Sequence, residues 1–305
     1  MSSGLVTMTG TARRAPVGDP RSRTRARVGR GIPMAGRSVA TVVILVVFLV
    51  PYIWILSSSF KTQTQIFANV SPLSVWTFLP QSLNLSNYKT AIFTDHVARA
   101  LLNSVIIACA QVACTIILAT PAAYALTRLR FRGQGLIFTV ILLTFMVPGE
   151  AIIVPLFQIV SRMGLADSLS GVFLPWVASP FALFLLRQAF LEVPTEFDEA
   201  AKLDGAGHLR IMLSIIVPTV RPALVALMLV TFLFSWNAFL WPLIIIQSTS
   251  NEVVQVAIAI NTAPGELPNW GSVFAGAVLA TLPVMLLFAC LQRYFVRGVT
   301  LTGLK

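Results

Sequence analysis

Long apolar stretches separated by short polar segments dominate the chain from residue 38 onward. Six of them reach the length of about 20 residues that a helix needs to cross a hydrocarbon core of about 30 Å. They lie at 38–59, 99–126, 135–156, 168–189, 221–247 and 272–295. Pro148-Gly149 in the third predicts a broken helix near one surface, and the fifth is expected to run unbroken. Residues 1–37 show no apolar period and are rich in Arg, Ser, Gly and Thr, so they predict a disordered basic tail. The pattern predicts an all-α membrane protein with a tail at 1–37 and a six-helix transmembrane domain at 38–305.

Composition agrees with the pattern. Of 305 residues 56% are hydrophobic and 11% charged, where a soluble domain carries about 25% charged residues. The net charge of +11 is distributed by side: 18 of the 22 Lys and Arg fall on the N-tail side, including Arg128, Arg130 and Arg132, the 187–221 segment and the C-terminal tail. Lys61, Lys89, Arg99 and Arg162 make up the other side. This bias predicts both termini in the cytoplasm and a multi-pass protein of the cell membrane. The excess of cations therefore speaks of topology and of lipid head groups, with no nucleic-acid partner expected. Trp54, Trp270 and Tyr294 fit an aromatic belt or ordinary core packing.

Catalytic chemistry is missing. Gly31 to Ser38 resembles a phosphate loop only superficially: Arg37 stands for the lysine, Pro33 removes a donor, and a span follows. No G-x-S-x-G, H-E-x-x-H or C-x-x-C occurs, and His96 and His208 fall on opposite sides. Cys109, Cys114 and Cys290 lie in apolar runs without metal or disulfide spacing. No catalytic residue, metal site or cofactor bound by this chain is expected. Glu150 is the one acid inside the spans, and it has two readings: a carboxylate reaching the outer aqueous face, or a substrate- or proton-binding group.

Polar neutral residues are better placed for a solute pathway. Ser104, Ala108, Gln111 and Thr115 share one helix face in the second span, and Thr231 and Ser235 share one in the fifth, with Asn237 close by. Close helix packing and the lining of a path for a hydroxyl-rich solute both account for such faces, and both stay open.

The segment from Arg187 to Arg221 holds five of the eleven acids. Pro194-Thr195 followed by Glu196, Asp198 and Glu199 signals a helix start, with Asp198 three residues after Thr195, and Gly205 signals a stop. A second helical stretch from His208 to Ile216 precedes Pro218, which predicts two short helices hinged at Gly205-Ala206-Gly207. Glu199-Ala200-Ala201, Gly205, Ile215 and Val217-Pro218, at their spacing, resemble the EAA motif of permease subunits in binding-protein-dependent ATP-binding-cassette (ABC) importers. Val217 stands where leucine is usual. Pro51 to Trp54, Ser59-Phe60-Lys61, Asn87-Tyr88, Ser235 to Leu243 and Arg293 to Gly298 are similar to the sugar-importer branch, so the resemblance covers about 38–305.

The resemblance implies a type I importer permease that pairs with a second permease as a heterodimer. An ATPase dimer would bind ATP and Mg beneath it, and an extracytoplasmic solute-binding protein would deliver a sugar. Coupling helices at about 190–218 would dock into the ATPases through Glu199, Ala200, Ala201, Asp204, Gly205 and Pro218. The pathway candidates are Ser104, Gln111, Thr115, Ser235 and Asn237. A permease for a glycerol phosphate or polyol is the alternative; an intramembrane enzyme or scaffold would leave the EAA spacing unexplained.

Overall fold

A computed structural model of the chain describes residues 34–68, 72–262 and 268–302, with side chains between 38 and 292. The expected tail lies almost wholly outside the described residues, and so do the side chains of the Arg293 to Gly298 stretch. The described part divides into two units, 1–50 and 51–305. Helix α1 (Met34–Ser58), which belongs to the first unit as far as Val50, begins four residues before the expected span and exposes its apolar side chains, Val39 to Val50 among them. A helix apolar all round, as this one is, suits lipid rather than water.

The second unit continues through α2 (Gln63–Ala68), α3 (Val75–Phe78) and α4 (Ser86–Lys89), which runs into a π-helical turn, Thr90–Thr94. Helix α5 (Val97–Arg128) follows. Its buried positions, Val97, Ala100, Ser104, Ile107, Ala108, Gln111 and Thr115, recur every three or four residues, while Leu102, Ile106, Ile117 and Leu118 on other faces are exposed. At 32 residues it rises about 48 Å, enough to cross a bilayer core with turns to spare.

The third stretch is α6 (Gln134–Phe145), a 3₁₀ turn Gly149–Ile152 and α7 (Ile153–Arg162), bent by 89° at the expected Pro148-Gly149 break. The fourth is α8 (Leu169–Phe173), a 3₁₀ turn Leu174–Trp176, and α9 (Pro180–Leu191), bent by 48°. Ser179 starts α9 by accepting the amide of Ala182, and Pro180, at the first helical position, has no donor to lose there.

Next come α10 (Glu196–Leu203), α11 (His208–Ile211), a π turn Met212–Ile216, α12 (Val217–Thr219) and α13 (Arg221–Trp236). The expectation of one helix over 221–247 is corrected: α13 ends at Trp236 and α14 (Leu240–Ile245) is separate. Pro242 cannot donate to the carbonyl of Ala238, and the Asn237 amide folds back onto Leu233 O at 2.8 Å, so the ladder stops between them. Helices α15 (Val254–Ile260) and α16 (Trp270–Thr302) complete the chain.

Among the described residues, three helices are individually long and apolar enough to cross a membrane, over Ser38–Ser58, Val97–Arg128 and Trp270–Gln292. Three bent pairs pass the same test when joined: the third and fourth stretches, and His208–Thr219 with Arg221–Trp236 at 81°. Helix α5 is central, packing against α8, α9, α13, α15 and α16. One apolar core joins its C-terminal third to α9 and α13, through Ala123, Leu186, Phe190, Ile216 and Leu227. Two others surround its N-terminal half.

Candidate functional site

The EAA segment folds as two short helices about a glycine. Thr195 precedes α10, but its side chain makes no cap; its carbonyl alone accepts the amides of Asp198 and Glu199, at 3.0 and 3.1 Å. Asp198, which the sequence pattern offers as a helix-start acid, is turned inward instead. At the other end Gly205 N donates to Lys202 O at 3.0 Å and Ala206 N to Ala201 O at 2.9 Å. This pair of bonds closes the helix as a Schellman motif, which needs a left-handed residue, and Gly205 has φ +79°.

Past the glycine, α11 runs through the π turn into α12. Pro218 supplies no amide to Ser214, and the Thr219 hydroxyl takes the Ile215 carbonyl at 2.6 Å. Pro218 is half-buried and lies one residue before α12 ends at Thr219.

Two residues one turn apart on α5 hold this pair of helices. Tyr124 Oη lies 3.1 Å from His208 Nδ1 on α11, with the two rings edge to face. Arg128 Nε lies 2.9 Å from Asp198 Oδ2 on α10, both side chains at least nine-tenths buried. Arg128 Nη2 also donates to the carbonyls of Phe190 and Val193, at 3.1 and 2.6 Å, where α9 ends and leaves acceptors without amide partners. Removing one member of a buried ion pair costs about 3–5 kcal/mol, because the other charge is left uncompensated. The sequence reading counted Arg128 as a topology signal and missed this contact. Its sequence signals are weak: one of three acids in the first turn of the EAA helix, and a cation at the end of an apolar run.

The opposite face is outward. Glu199, Ala200, Asp204 and Gly205 are exposed, as are Phe197, Leu203, Leu209 and Leu213, with Leu203 at 90%. Ala201 is buried against the core that α5 and α9 share. A cleft lined by Ala201, Asp204, Ala206, Arg210, Ser214 and Ile215 separates the two helices. Exposed leucines around small residues on a rigid turn form a knob suited to a partner's groove.

The pathway candidates divide. Ser104 Oγ accepts the amide of Val254 at 2.9 Å and so begins α15, a packing role. Gln111, Thr115 and Ser235 are buried where α5 and α13 belong to one bundle, and the hydroxyls of Thr115 and Ser235 have no hydrogen-bond partner. Asn237 is exposed at the end of α13. Trp236 and Trp241 beside it are buried, the first stacked on Phe232 and the second donating to the Gly171 and Val172 carbonyls, so neither indole offers a free face. Phe234 and Phe239 are the exposed rings of that run. Glu150 is exposed in the 3₁₀ turn at the α6–α7 break.

At the Val97 end of α5, Asp167 clasps the loop after α14. Its Oδ1 accepts the amides of Gln247 and Ser248 and the Ser248 hydroxyl, at 3.0, 2.9 and 2.9 Å. The Ser248 amide, then the Gln247 amide and the Ser248 hydroxyl, hold this carboxyl below the usual carboxylate range. Among the described residues no cluster of His, Cys, Asp and Glu could hold a metal ion.

Among the described residues the chain is helical, with apolar helices and a two-helix knob anchored at the end of one of them. The chain belongs to the family described as binding-protein-dependent transport system inner membrane component, which matches residues 111–301. It is 34% identical over 248 residues to the lactose transport system permease protein LacG of Rhizobium radiobacter, covering 81% of this chain and 88% of that protein. It is 33% identical over 269 residues to the sn-glycerol-3-phosphate transport system permease protein UgpE of Brucella abortus (strain 2308), covering 85% and 93%. Among solved structures, a bacterial ABC transporter that imports the acidic polysaccharide alginate shares its fold, with TM-score 0.75 and 24% identity over 85% of this chain and 95% of that one.

Proposed function

We propose that this chain is one of two permease subunits of an ATP-driven carbohydrate importer, crossing the membrane six times with both termini in the cytoplasm. The three long helices, the bent pairs of the third and fourth stretches and α13 (Arg221–Trp236) support the span count, and the cation bias supports the orientation. The knob α10–Gly205–α11 docks into an ATPase dimer that binds ATP and Mg. A second permease completes the path, and an extracytoplasmic binding protein supplies the sugar.

The single observation that carries this reading is the knob itself: exposed Phe197, Leu203, Leu209 and Leu213 on a turn fixed from behind by Arg128 and Tyr124. A surface loop with no partner would hide those side chains or replace them with polar ones. Sugar as substrate rests on the lactose relative. The glycerol-phosphate relative keeps a second reading in view.

Coexpression with the neighbouring permease and ATPase, followed by oxidation of Leu203→Cys against cysteines placed around the ATPase groove, tests the docking. Crosslinks and ATP-dependent uptake of a labelled sugar are expected. Uptake of sn-glycerol-3-phosphate in place of every sugar tried would overturn the substrate, and the absence of any crosslink in a transporting complex would overturn the docking.

A further inference from the structure

Helix α5 is held by polar side chains near both ends. At the Arg128 end, Arg128 and Tyr124 fix α10, α11 and the end of α9. At the Val97 end, Arg99 Nε and Asn103 Nδ2 both donate to Ser250 O at 2.9 Å, Asn103 Nδ2 also donates to Glu252 O at 2.9 Å, and Ser104 begins α15. From Ser104 to Tyr124 the helix rises about 30 Å, the thickness of a hydrocarbon core.

The geometry points to α5 as the rod that links the ATPase-docking knob to the loop at 246–253 and the start of α15, with Arg128 and Tyr124 as the positioning residues that fasten the knob to it. This rests on the docking proposed above. Coupling between distant sites needs an element that moves as a unit. The other routes out of the knob are broken: α12 meets α13 at the 81° bend, and α9 meets α8 at 48°. Helix α5 runs unbroken from Val97 to Arg128, with Pro121 accommodated inside it. Among the described residues, the ion pair and the side-chain hydrogen bond of α10 and α11 both go to α5. Arg128 is suited to the task because one guanidinium reaches an acid on α10 and two carbonyls at the end of α9, and a lysine keeps the charge pair to α10 on which the link rests.

The test uses the assembled complex in vesicles, with Cys109, Cys114 and Cys290 replaced by serine and Thr249→Cys as the reporter on the far loop. Addition of ATP should change the labelling rate at residue 249 in the otherwise native chain. In R128Q that ATP response should shrink about fivefold or more, and in R128K a good part of it should return. A lost response that R128K does not restore would make the residue merely structural and overturn the proposal, as would a full response in an assembled R128Q complex. Should R128Q fail to assemble, Y124F removes one hydroxyl only; a reduced response is expected there too, and an unchanged one overturns the link. A complex that transports but shows no ATP-dependent change at residue 249 also overturns it, whereas a complex without ATP-driven uptake overturns the functional reading beneath it.

Discussion

Asn87 Nδ2 donates to the carbonyl of Lys61 at 2.8 Å, and to that of Ser59 at 2.9 Å. The two motifs that resemble the sugar-importer branch, Ser59-Phe60-Lys61 and Asn87-Tyr88, are therefore one structure. Tyr88 Oη lies 2.7 Å from Ser59 Oγ, its ring meets Phe60 at 5.1 Å, and Lys61 Nζ runs on to the Trp76 and Thr77 carbonyls. Burial pushes the Lys61 ammonium below its usual range.

Gly271 on α16 completes that knot, since a Cβ there would stand 2.6 Å from the Asn87 side chain. Gly271→Ala should destabilise the detergent-solubilised protein by about 1–3 kcal/mol through overpacking. In an Asn87→Ala background the same change should cost much less, because the crowded atoms are gone. Thermal unfolding of the four variants measures the coupling; strictly additive shifts would place the two residues apart.

Topology has a direct assay. An impermeant thiol reagent should reach cysteines placed at 62–95 and 250–268 from outside, and those at 129–133 and 195–210 only from the cytoplasmic side. Labelling of residue 200 from outside would reverse the orientation.

Gly205 is required for its backbone angle, as nothing lies within 4 Å of where its Cβ would be. Any L side chain should therefore be unfavourable by about 1–2 kcal/mol, with Gly205→Asn the mildest. Gly205→Val is expected to insert normally and to uncouple ATP hydrolysis from uptake. Wild-type uptake with wild-type ATPase stimulation would remove the hinge from the mechanism.

Asp167 sits at φ +53° and accepts three hydrogen bonds through Oδ1. Its folded pKa is depressed, so its contribution is fully present above the unfolded value of about 3.9 and is lost as the pH falls through the lower folded value. Amide exchange at Gln247 and Ser248 should show constant protection from pH 8 to 5. Asp167→Ala should lose that protection at pH 7, while Asp167→Asn, with an acceptor oxygen and a tolerance for positive φ, should keep most of it.

Asn237 carries the pathway proposal among exposed residues. Asn237→Leu is expected to lower uptake or shift sugar preference, leaving ATPase docking intact. Unchanged uptake across several sugars would assign the amide to its bond with Leu233 O alone.

Apolar length marked the three long helices over 38–58, 97–128 and 270–292, because a bilayer imposes length before any tertiary contact is made, and Pro148-Gly149 marked the break in the third stretch. The Gly205 stop was equally legible, since a Schellman closure is local to six residues. What sequence did not reveal is long-range. Arg128 and Asp198 are 70 positions apart, and only packing of α5 on α9 brings them together. The break in the fifth stretch was misread because 221–247 is mostly apolar and its few polar residues fit a helix face, although Asn237 and Pro242 together end the ladder. Polar faces were likewise ambiguous, and Ser104 proves to carry a helix start across 150 residues.

Ala200 is exposed and Ala201 is buried, though they are neighbours in one motif. Under the docking proposed here, the two answer to different molecules. Residue 201 is constrained by its own chain, whereas residue 200 is constrained by whatever ATPase the subunit meets. In a collection of related importers, substitutions at 200 should track the identity of the ATPase gene, and those at 201 should track α5 and α9. Transplanting a foreign ATPase would then require compensation on one side of a single peptide bond and none on the other.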